Sequence, residues 1–470
     1  VKKIAIVLFE VVNEFGGILN HTVNLAHGLR ENGCKVDIFY PLWRERVTVR
    51  KTSGKLIDAG LGLQVRISEK GDRGVLTADE DTAIAYKGWE QAEALREQLS
   101  EYDGVIVEMV PSFGDQKRRK DSDWLQVLSH GKPMVNLVHD SHWIRFYPWI
   151  LKLQDRITAL SAVHPAAFHS ATNWPGRVAC IVNPFDISQR KVSVEKNWDW
   201  LCVTSFFKRW KHVDDGVRAV PYLKPLHLWC MGGGIEYYNM KAEMQTSKNY
   251  RGTYYESYKN KLLRYIWKEE DPSFKEKWSG KKIWDVALDS GHFHYMGMRV
   301  GKTVDSLQER CGGLIDFSYQ KKWGEHFNRV IVEAMLHRCI PFARPYGISD
   351  NAEGKGVVFG PDNVVLIPEE ASPKRTAEII KSAMRDETLR EELIARNLKD
   401  IKLFDRRVVA LQFLQLLQGS LNVGLFGVVQ GQPDKGVFKA MKETKVIVRF
   451  PRSKRFPRLR IRFPRLKKSA

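Results

Sequence analysis

The stretch KIAIVLFEVVNEFGGILNHTVNLAHGLRENGCKVDIFY, residues 3–40, decides the fold class. Residues 3–9 are a short apolar run followed at once by Asn13 and Glu14, which reads as a buried first strand rather than a signal peptide. Gly16 and Gly17 supply a turn, and residues 19–31 repeat their apolar side chains at helical spacing. Gly33 ends that helix and residues 35–40 form a second apolar run. Strand, glycine turn, helix and strand make a βαβ unit, and such a unit requires a parallel sheet.

The alternation continues outward from this unit. Residues 104–110, 134–138 and 179–182 read as further strands, the last running into Asn183-Pro184-Phe185-Asp186. A second series starts after the polar stretch 188–197, with strands at 200–205, 226–231, 313–317 and 340–343 and helices at 213–222 and about 327–337. Ser372-Pro373 offers an N-cap and a proline at the first helical position, opening a helix to about residue 385. This is the pattern of an α/β protein with two Rossmann-like, doubly wound parallel-sheet domains facing a cleft, plus a basic C-terminal tail. The expected boundaries are 1–187 for the first domain and 188–400 for the second, with a basic aromatic insertion at 241–282. A helix at 401–422 is expected to cross back to the first domain, and 423–470 to form the tail. Ligands of such sheets lie at the carboxyl ends of the strands.

Composition narrows the class. A chain of 470 residues exceeds one ordinary core, and 43% hydrophobic with 28% charged residues is the make-up of a soluble globular protein. No apolar run reaches the roughly 18 residues of a membrane span. Six scattered cysteines with no metal-type spacing read as reduced core thiols of a cytoplasmic protein. The formal charge of +20 is unusual, and residues 445–470 alone hold 11 Lys and Arg with no acid. Such an excess suits a polyanionic partner, either nucleic acid or an anionic membrane surface.

The stretch WGEHFNRVIVEAM, residues 323–335, carries the chemistry. Glu325 is expected just before a helix and Glu333 two turns inside it, which at ~1.5 Å rise per residue sets them roughly 12 Å apart along the axis. That is about the span from the transferred sugar to the ribose of a nucleotide-sugar. Between them His326, Phe327 and Asn328 offer the free amides of a helix start to a diphosphate. On spacing alone a solvated helix face is the simpler explanation of the pair. His139-Asp140-Ser141-His142 follows a strand and so falls on the cleft. A metal site, a structural turn and a place beside the sugar are all open to it, and no third metal ligand is evident. His292 and His294 read as ordinary polar positions.

The same stretch resembles the Glu-x7-Glu signature of retaining GT-B glycosyltransferases, with its Glu-Ala-Met and the following Ile340-Pro341. The similarity runs in order over most of residues 1–420 through Gly16-Gly17, His139-Asp140, Asn183-Pro184-Phe185-Asp186 and Lys211. It implies a nucleotide-sugar donor, UDP-glucose or similar, with no tightly bound cofactor and no metal requirement. It assigns ribose hydroxyls to Glu333, the transferred sugar to Glu325 and His139-Asp140, and the phosphates to Gly16, Gly17 and Lys211. Two departures stand out. Phe206 occupies the place of a usual arginine, for which Lys208 or Arg209 is the available substitute, and Arg338 replaces the glycine that commonly ends the helix.

A shorter likeness, in His139-Asp140-Ser141-His142 and in the step from Glu333 to Pro341, is to the phage DNA α-glucosyltransferases, which use UDP-glucose on hydroxymethylcytosine in duplex DNA. It points to DNA with a hydroxymethylated base as acceptor. Lys117, Arg118, Arg119 and Lys120 on the cleft rim would contact it. So would the insertion 241–282, with 11 Lys and Arg and eight aromatics, and a tail that repeats Arg-Phe-Pro-Arg three times, ending at Arg452, Arg458 and Arg465. The alternatives are a peripheral-membrane glycosyltransferase with a lipid-linked or surface-polysaccharide acceptor, and a non-enzymatic nucleic-acid-binding protein.

Overall fold

The computed structural model describes residues 2–8, 17–41, 56–58, 63–67, 74–78, 81–86, 92–108, 131–139, 157–188, 195–206, 211–233, 283–297, 302–318, 328–344, 359, 362–419, 424 and 428–430. The chain divides into two units, Val1–Pro433 and Asp434–Ala470, and every described residue belongs to the first.

The opening unit forms as its sequence demands. Strand β1 (Lys3–Leu8) buries Ile4, Ala5, Ile6 and Val7 on both faces, as a central parallel strand must. Helix α1 (Gly17–Glu31) ends where Gly33, at φ +81, lets Cys34 N–H donate to the Leu29 carbonyl and Gly33 N–H to that of Arg30. This is a Schellman closure, and the left-handed φ is why glycine stands there. Strand β2 (Lys35–Pro41) then pairs with β1 in parallel, Lys3 opposite Lys35.

Strands β3 (Leu56–Asp58), β4 (Leu63–Ile67), β5 (Gly74–Ala78) and β6 (Asp81–Tyr86) follow, the first three antiparallel and β6 parallel to β2. Helix α2 (Ala92–Ser100) leads to β7 (Gly104–Glu108), β8 (Met134–Val138), β9 (Ala159–Ala162), α3 (Pro165–Ala171) and β10 (Arg177–Cys180). The second series comprises β11 (Asn197–Phe206), α4 (Val213–Leu223), β12 (His227–Gly233), α5 (Ile283–Asp289), β13 (Phe293–Gly297), α6 (Lys302–Arg310), β14 (Cys311–Asp316), α7 (Arg329–Leu336), β15 (Ile340–Ala343) and β16 (Val365–Leu366). The chain continues with α8 (Pro373–Arg385), α9 (Glu387–Asp400), a 3-10 turn (Ile401–Phe404), α10 (Arg406–Leu417) and β17 (Val428–Gln430). Ser372 caps α8 by accepting from Arg375 N–H at 3.1 Å, as Ser-Pro at a helix start leads one to expect.

Two sheets result. The first runs β17-β10-β9-β8-β7-β1-β2-β6-β5-β4-β3, the second β13-β12-β11-β14-β15-β16 and parallel throughout. Among the parallel strands of each, strand order reverses direction once, between β1 and β7 and between β11 and β14. The carboxyl ends of those strands frame the crevices where doubly wound sheets take ligands.

The chain's return ties the first sheet's helices to the second series. Helix α10 packs on α1 so tightly that a Cβ on Gly28 would meet the Arg406 carbonyl oxygen at 2.1 Å. The Arg406 guanidinium binds Asp186 at 2.8 Å and also Glu31. Phe185 exchanges backbone hydrogen bonds with Phe404 and Arg406. One hydrophobic core therefore includes Ile4 and Ile6 of β1, Ile331, Val332 and Met335 of α7, and Val409 and Phe413 of α10. All six cysteines are buried and free. Among the described residues no helix is long and apolar enough to cross a membrane.

Candidate active site

The first crevice holds a cluster that sequence reading did not find. Strand β7 is GVIVE, four buried small or aliphatic residues closed by Glu108, whose carboxylate is fully buried at the carboxyl end of the strand. His139 follows the last residue of β8, the neighbouring strand, and its Nε2 lies 3.0 Å from Glu108 Oε2. His21, in the second turn of α1, places Nδ1 2.5 Å from Glu108 Oε1. The carboxylate thus has a different imidazole on each oxygen. The His21 and Glu108 side chains have no exposure, whereas His139 keeps 14% of its side chain open, so His139 is the member that faces outward.

Electrostatics settle the protonation. Burial pushes the Glu108 carboxyl up, but the charge of His21 and hydrogen bonds from both rings outweigh it and bring it to about 2. Burial pushes His21 below its usual range against the pull of Glu108. A neutral His21 lends Glu108 no charge, so the two influences do not act at full strength together. The consistent state is an ionised Glu108 accepting one N–H from each ring, since a carboxylate has only acceptors to offer. Among the described residues these three also form the group whose donor atoms lie within 4.8 Å and could take a metal ion, supplying partners that the sequence did not show for His139. Metal bonds of about 2.0–2.1 Å at tetrahedral angles would hold ligand atoms roughly 3.3 Å apart. The observed 2.5 and 3.0 Å are the distances of direct hydrogen bonds.

The second crevice is built around the amino end of α7. Asn328 stands at the N-cap in an extended conformation and makes no capping bond. Its side chain is buried, yet among the described residues neither Oδ1 nor Nδ2 has a partner, and Arg329 likewise keeps a buried guanidinium nitrogen unbonded there. Glu333 is half-buried and accepts from Gln308 Nε2 at 3.1 Å, the same amide group that reaches Thr204 of β11 at 3.2 Å. Burial pushes the Glu333 carboxyl up, opposed by the Arg329 charge and the Gln308 hydrogen bond. Lys211 lies just before α4, after the carboxyl end of β11, and is half-buried. The two crevices meet at Arg329, whose guanidinium sits 4.3 Å over the Phe185 ring and whose charge is felt at His21.

Helix α7 begins at Arg329 rather than near 327, so Glu333 lies just over one turn inside it, not two. The roughly 12 Å axial separation from Glu325 assumed helical rise over all eight steps, and the extended Asn328 breaks that assumption. Gly17 opens α1, and His139, Lys211, Asn328 and Glu333 occupy the crevices described. Gly16, Asp140, Lys208, Arg209, Glu325, His326 and Phe327 lie outside the described residues, as do Lys117, Arg118, Arg119, Lys120, the insertion 241–282 and the tail with Arg452, Arg458 and Arg465. His292 and His294 are less ordinary than expected. His227 Nδ1 is 2.9 Å from His294 Nε2, Trp229 stacks on His294 with centroids 4.2 Å apart, and burial pushes His292 and His294 below the usual histidine range. The missed residues Glu108 and His21 had one available signal, a charged or polar side chain inside an apolar strand or helix face.

No family model matches the chain, and no curated protein matches it. Solved structures do. An alpha-glucosyltransferase in complex with UDP-glucose and DNA containing an abasic site superposes at TM-score 0.58 with 12% identity, over 89% of this chain and 99% of that one. A mutant of S. aureus TarM in complex with Fondaparinux, alpha-GlcNAc-glycerol and UDP gives TM-score 0.54 and 11% identity, over 89% and 100%. The pneumococcal O-GlcNAc transferase GtfA in complex with UDP and GlcNAc gives 0.53 and 11%, over 88% and 99%. The likeness is one of fold: the fold is GT-B, as the resemblance of residues 323–335 implies, and its two sheets are those that the alternation of strands and helices leads one to expect.

Proposed function

We propose that this protein is a retaining glycosyltransferase that moves a sugar from a UDP-sugar, UDP-glucose or a close analogue, to a hydroxymethylated base in DNA. The observation that carries the first half is the amino end of α7, where the buried Asn328 amide and an Arg329 nitrogen are unbonded beside Glu333 and next to the first crevice. Buried polar groups without partners are costly, and a polar ligand removes the cost. UDP in the similarly folded proteins is such a ligand.

In this reading Glu333 accepts from the ribose hydroxyls. Lys211, the amides from His326 to Asn328, Gly16 and Gly17 hold the diphosphate, with Lys208 or Arg209 in place of the arginine that Phe206 replaces. Glu325 and His139-Asp140 contact the transferred sugar. Cations and helix amides aimed at the phosphates stabilise the departing nucleoside diphosphate as the sugar becomes oxocarbenium-like. The charge accumulated on the leaving group is thus met by groups already oriented. No tightly bound cofactor or metal enters this scheme.

Support for DNA as acceptor is the fold shared with an enzyme solved on DNA, together with the 11 cations of residues 445–470 and the cations at 117–120. Phosphate contacts of this kind hold a duplex without reading its sequence, and the target base must be made accessible, as by flipping. The test is nucleoside mass spectrometry after incubation with hydroxymethylated DNA and a mixture of UDP-sugars. A hexose added to the modified base supports the proposal. UDP released only when vesicles of anionic lipid carrying a polyprenyl-linked sugar are supplied would favour the peripheral-membrane alternative instead. Glu333→Ala should weaken UDP binding by calorimetry on the order of tenfold or more, the scale of one charge-assisted hydrogen bond.

A further inference from the structure

Glu108 takes no part in the scheme above. Strand β7 could end in an apolar residue and pack as well, because its remaining positions are buried and apolar. A carboxylate in that place is retained against a desolvation cost, and its two oxygens are spent on two rings from different elements. His21 is itself immobilised. Its ring packs edge-on against His139, with centroids 5.3 Å apart, and against Phe413 of α10 at 6.2 Å, and its Nε2 is buried and unbonded. Strands β7 and β8 are paired neighbours, with Val107 opposite Asn136, so the backbone sets the spacing of Glu108 and His139.

We infer that Glu108 is a positioning residue, held by His21, that locks His139 as the Nε2–H tautomer and leaves its Nδ1 as a hydrogen-bond acceptor for a hydroxyl of the donor sugar. The step from geometry to tautomer is short. An ionised carboxylate offers only acceptors, so the His139 nitrogen 3.0 Å from Oε2 carries the hydrogen, and in the neutral ring the other nitrogen then carries the lone pair. A ring free to exchange tautomers would present an acceptor part of the time and a donor the rest. Glu108 removes that choice before substrate arrives, as the carboxylate behind a catalytic histidine does in other enzymes. No proton is transferred in this role; Glu108 orients and polarises the ring. The inference rests on the glycosyltransferase reading for what His139 touches, but not for its tautomer.

The experiment has two independent readouts. The first is the ¹⁵N spectrum of the imidazoles in substrate-free protein at neutral pH, with His139 assigned by its loss in His139→Asn. The expected result is a single Nε2–H tautomer for His139, unchanged by EDTA. A mixture, an Nδ1–H ring, or signals that EDTA alters would overturn the inference, the last in favour of a metal held by the cluster. The second is acceptor-free hydrolysis of UDP-glucose by Glu108→Gln, whose amide turns an acceptor to one ring and an NH2 donor to the other. The expected result is a changed tautomer in the spectrum, a fall in kcat of about 100-fold and UDP affinity within threefold of wild type. Unchanged hydrolysis sinks the role, and so does abolished hydrolysis with unaltered imidazole signals, which would mark Glu108 as merely structural. Should Glu108→Gln not fold, the wild-type tautomer still decides. A wild-type protein that neither binds UDP nor hydrolyses UDP-glucose refutes the proposed function instead, and leaves the tautomer result standing.

Discussion

At the scale of single residues, Asn328 shows how a buried polar group can mark a place for a ligand. It occupies the N-cap of α7, where asparagine ordinarily turns back to accept from the helix amides, and does not do so. It is 2% exposed with both amide atoms unbonded, so in the free protein it carries a desolvation cost. Asn328→Leu, with the same number and branching of side-chain heavy atoms but no polar ones, should leave stability unchanged or raise it by about 1–2 kcal/mol while weakening UDP binding about tenfold. Denaturant titration and calorimetry check the pair; a destabilised variant with wild-type UDP affinity would refute the assignment.

Acid sensitivity belongs to the same scale. Glu108 is held below an ordinary 4.5 by the hydrogen bonds from both rings, so the stability it contributes is complete above 4.5 and is lost as pH falls below it. His337, at the end of α7, is pushed down to about 4 by burial and by the charge of Lys196, so a further loss begins below 6.5 and continues to about 4. Both act in one direction, because the unfolded chain binds more protons. Tm should fall steadily from pH 7 to pH 4, and His337→Gln should flatten the upper part of that fall in a thermal-melt series.

Among the elements, two helix ends make a controlled comparison. Helices α1 and α7 both close with a Schellman pair, Cys34 N–H to the Leu29 carbonyl in one and Cys339 N–H to the Ala334 carbonyl in the other. The left-handed residue is Gly33 at φ +81 in α1 but Arg338 at φ +54 in α7. The sequence departure at 338 therefore changed the residue and kept the backbone shape. A side chain in that region costs roughly 1–2 kcal/mol, partly offset by the greater unfolded freedom of glycine. Arg338→Gly should raise stability by about 0.5–1 kcal/mol, read as a higher urea midpoint at constant m-value. A lowered midpoint would mean that the arginine makes interactions that outweigh its strain.

For the whole molecule, charge and topology have separate jobs. The GT-B framework is held by apolar burial and by the return of α10 over α1, whereas 11 of the cations behind the +20 charge lie in residues 445–470. Deleting residues 445–470 removes 11 cations, so the slope of log K for DNA against log salt should become shallower, by about 0.9 for each phosphate that the tail neutralises. Filter binding from low to moderate salt measures it. An unchanged slope would take the tail out of DNA recognition and leave the rest of the chain to supply it.

The first βαβ unit, the strands at 134–138 and 340–343 and the Ser372 cap were legible in the residues because each depends on neighbours close in the chain: apolar period, a glycine at a helix end, a hydroxyl three positions before an amide. The strands at 56–86 were not, since three of them are antiparallel edge additions whose partners alone define them. The start of α7 falls about two residues later than its pattern suggests, because Asn328 is extended at the N-cap and the helix opens only at Arg329. The Glu-x7-Glu stretch and His139 could be picked out from sequence, but what stands behind His139 could not. His21 and Glu108 are 87 positions apart and meet because strand order reverses between β1 and β7, which brings the start of α1 over the end of β7. Local patterning determined the alternating elements and hence the parallel-sheet class. Only the folded chain decided which ionisable groups share a buried crevice, because contacts between distant segments follow from sheet order and leave no period in the sequence.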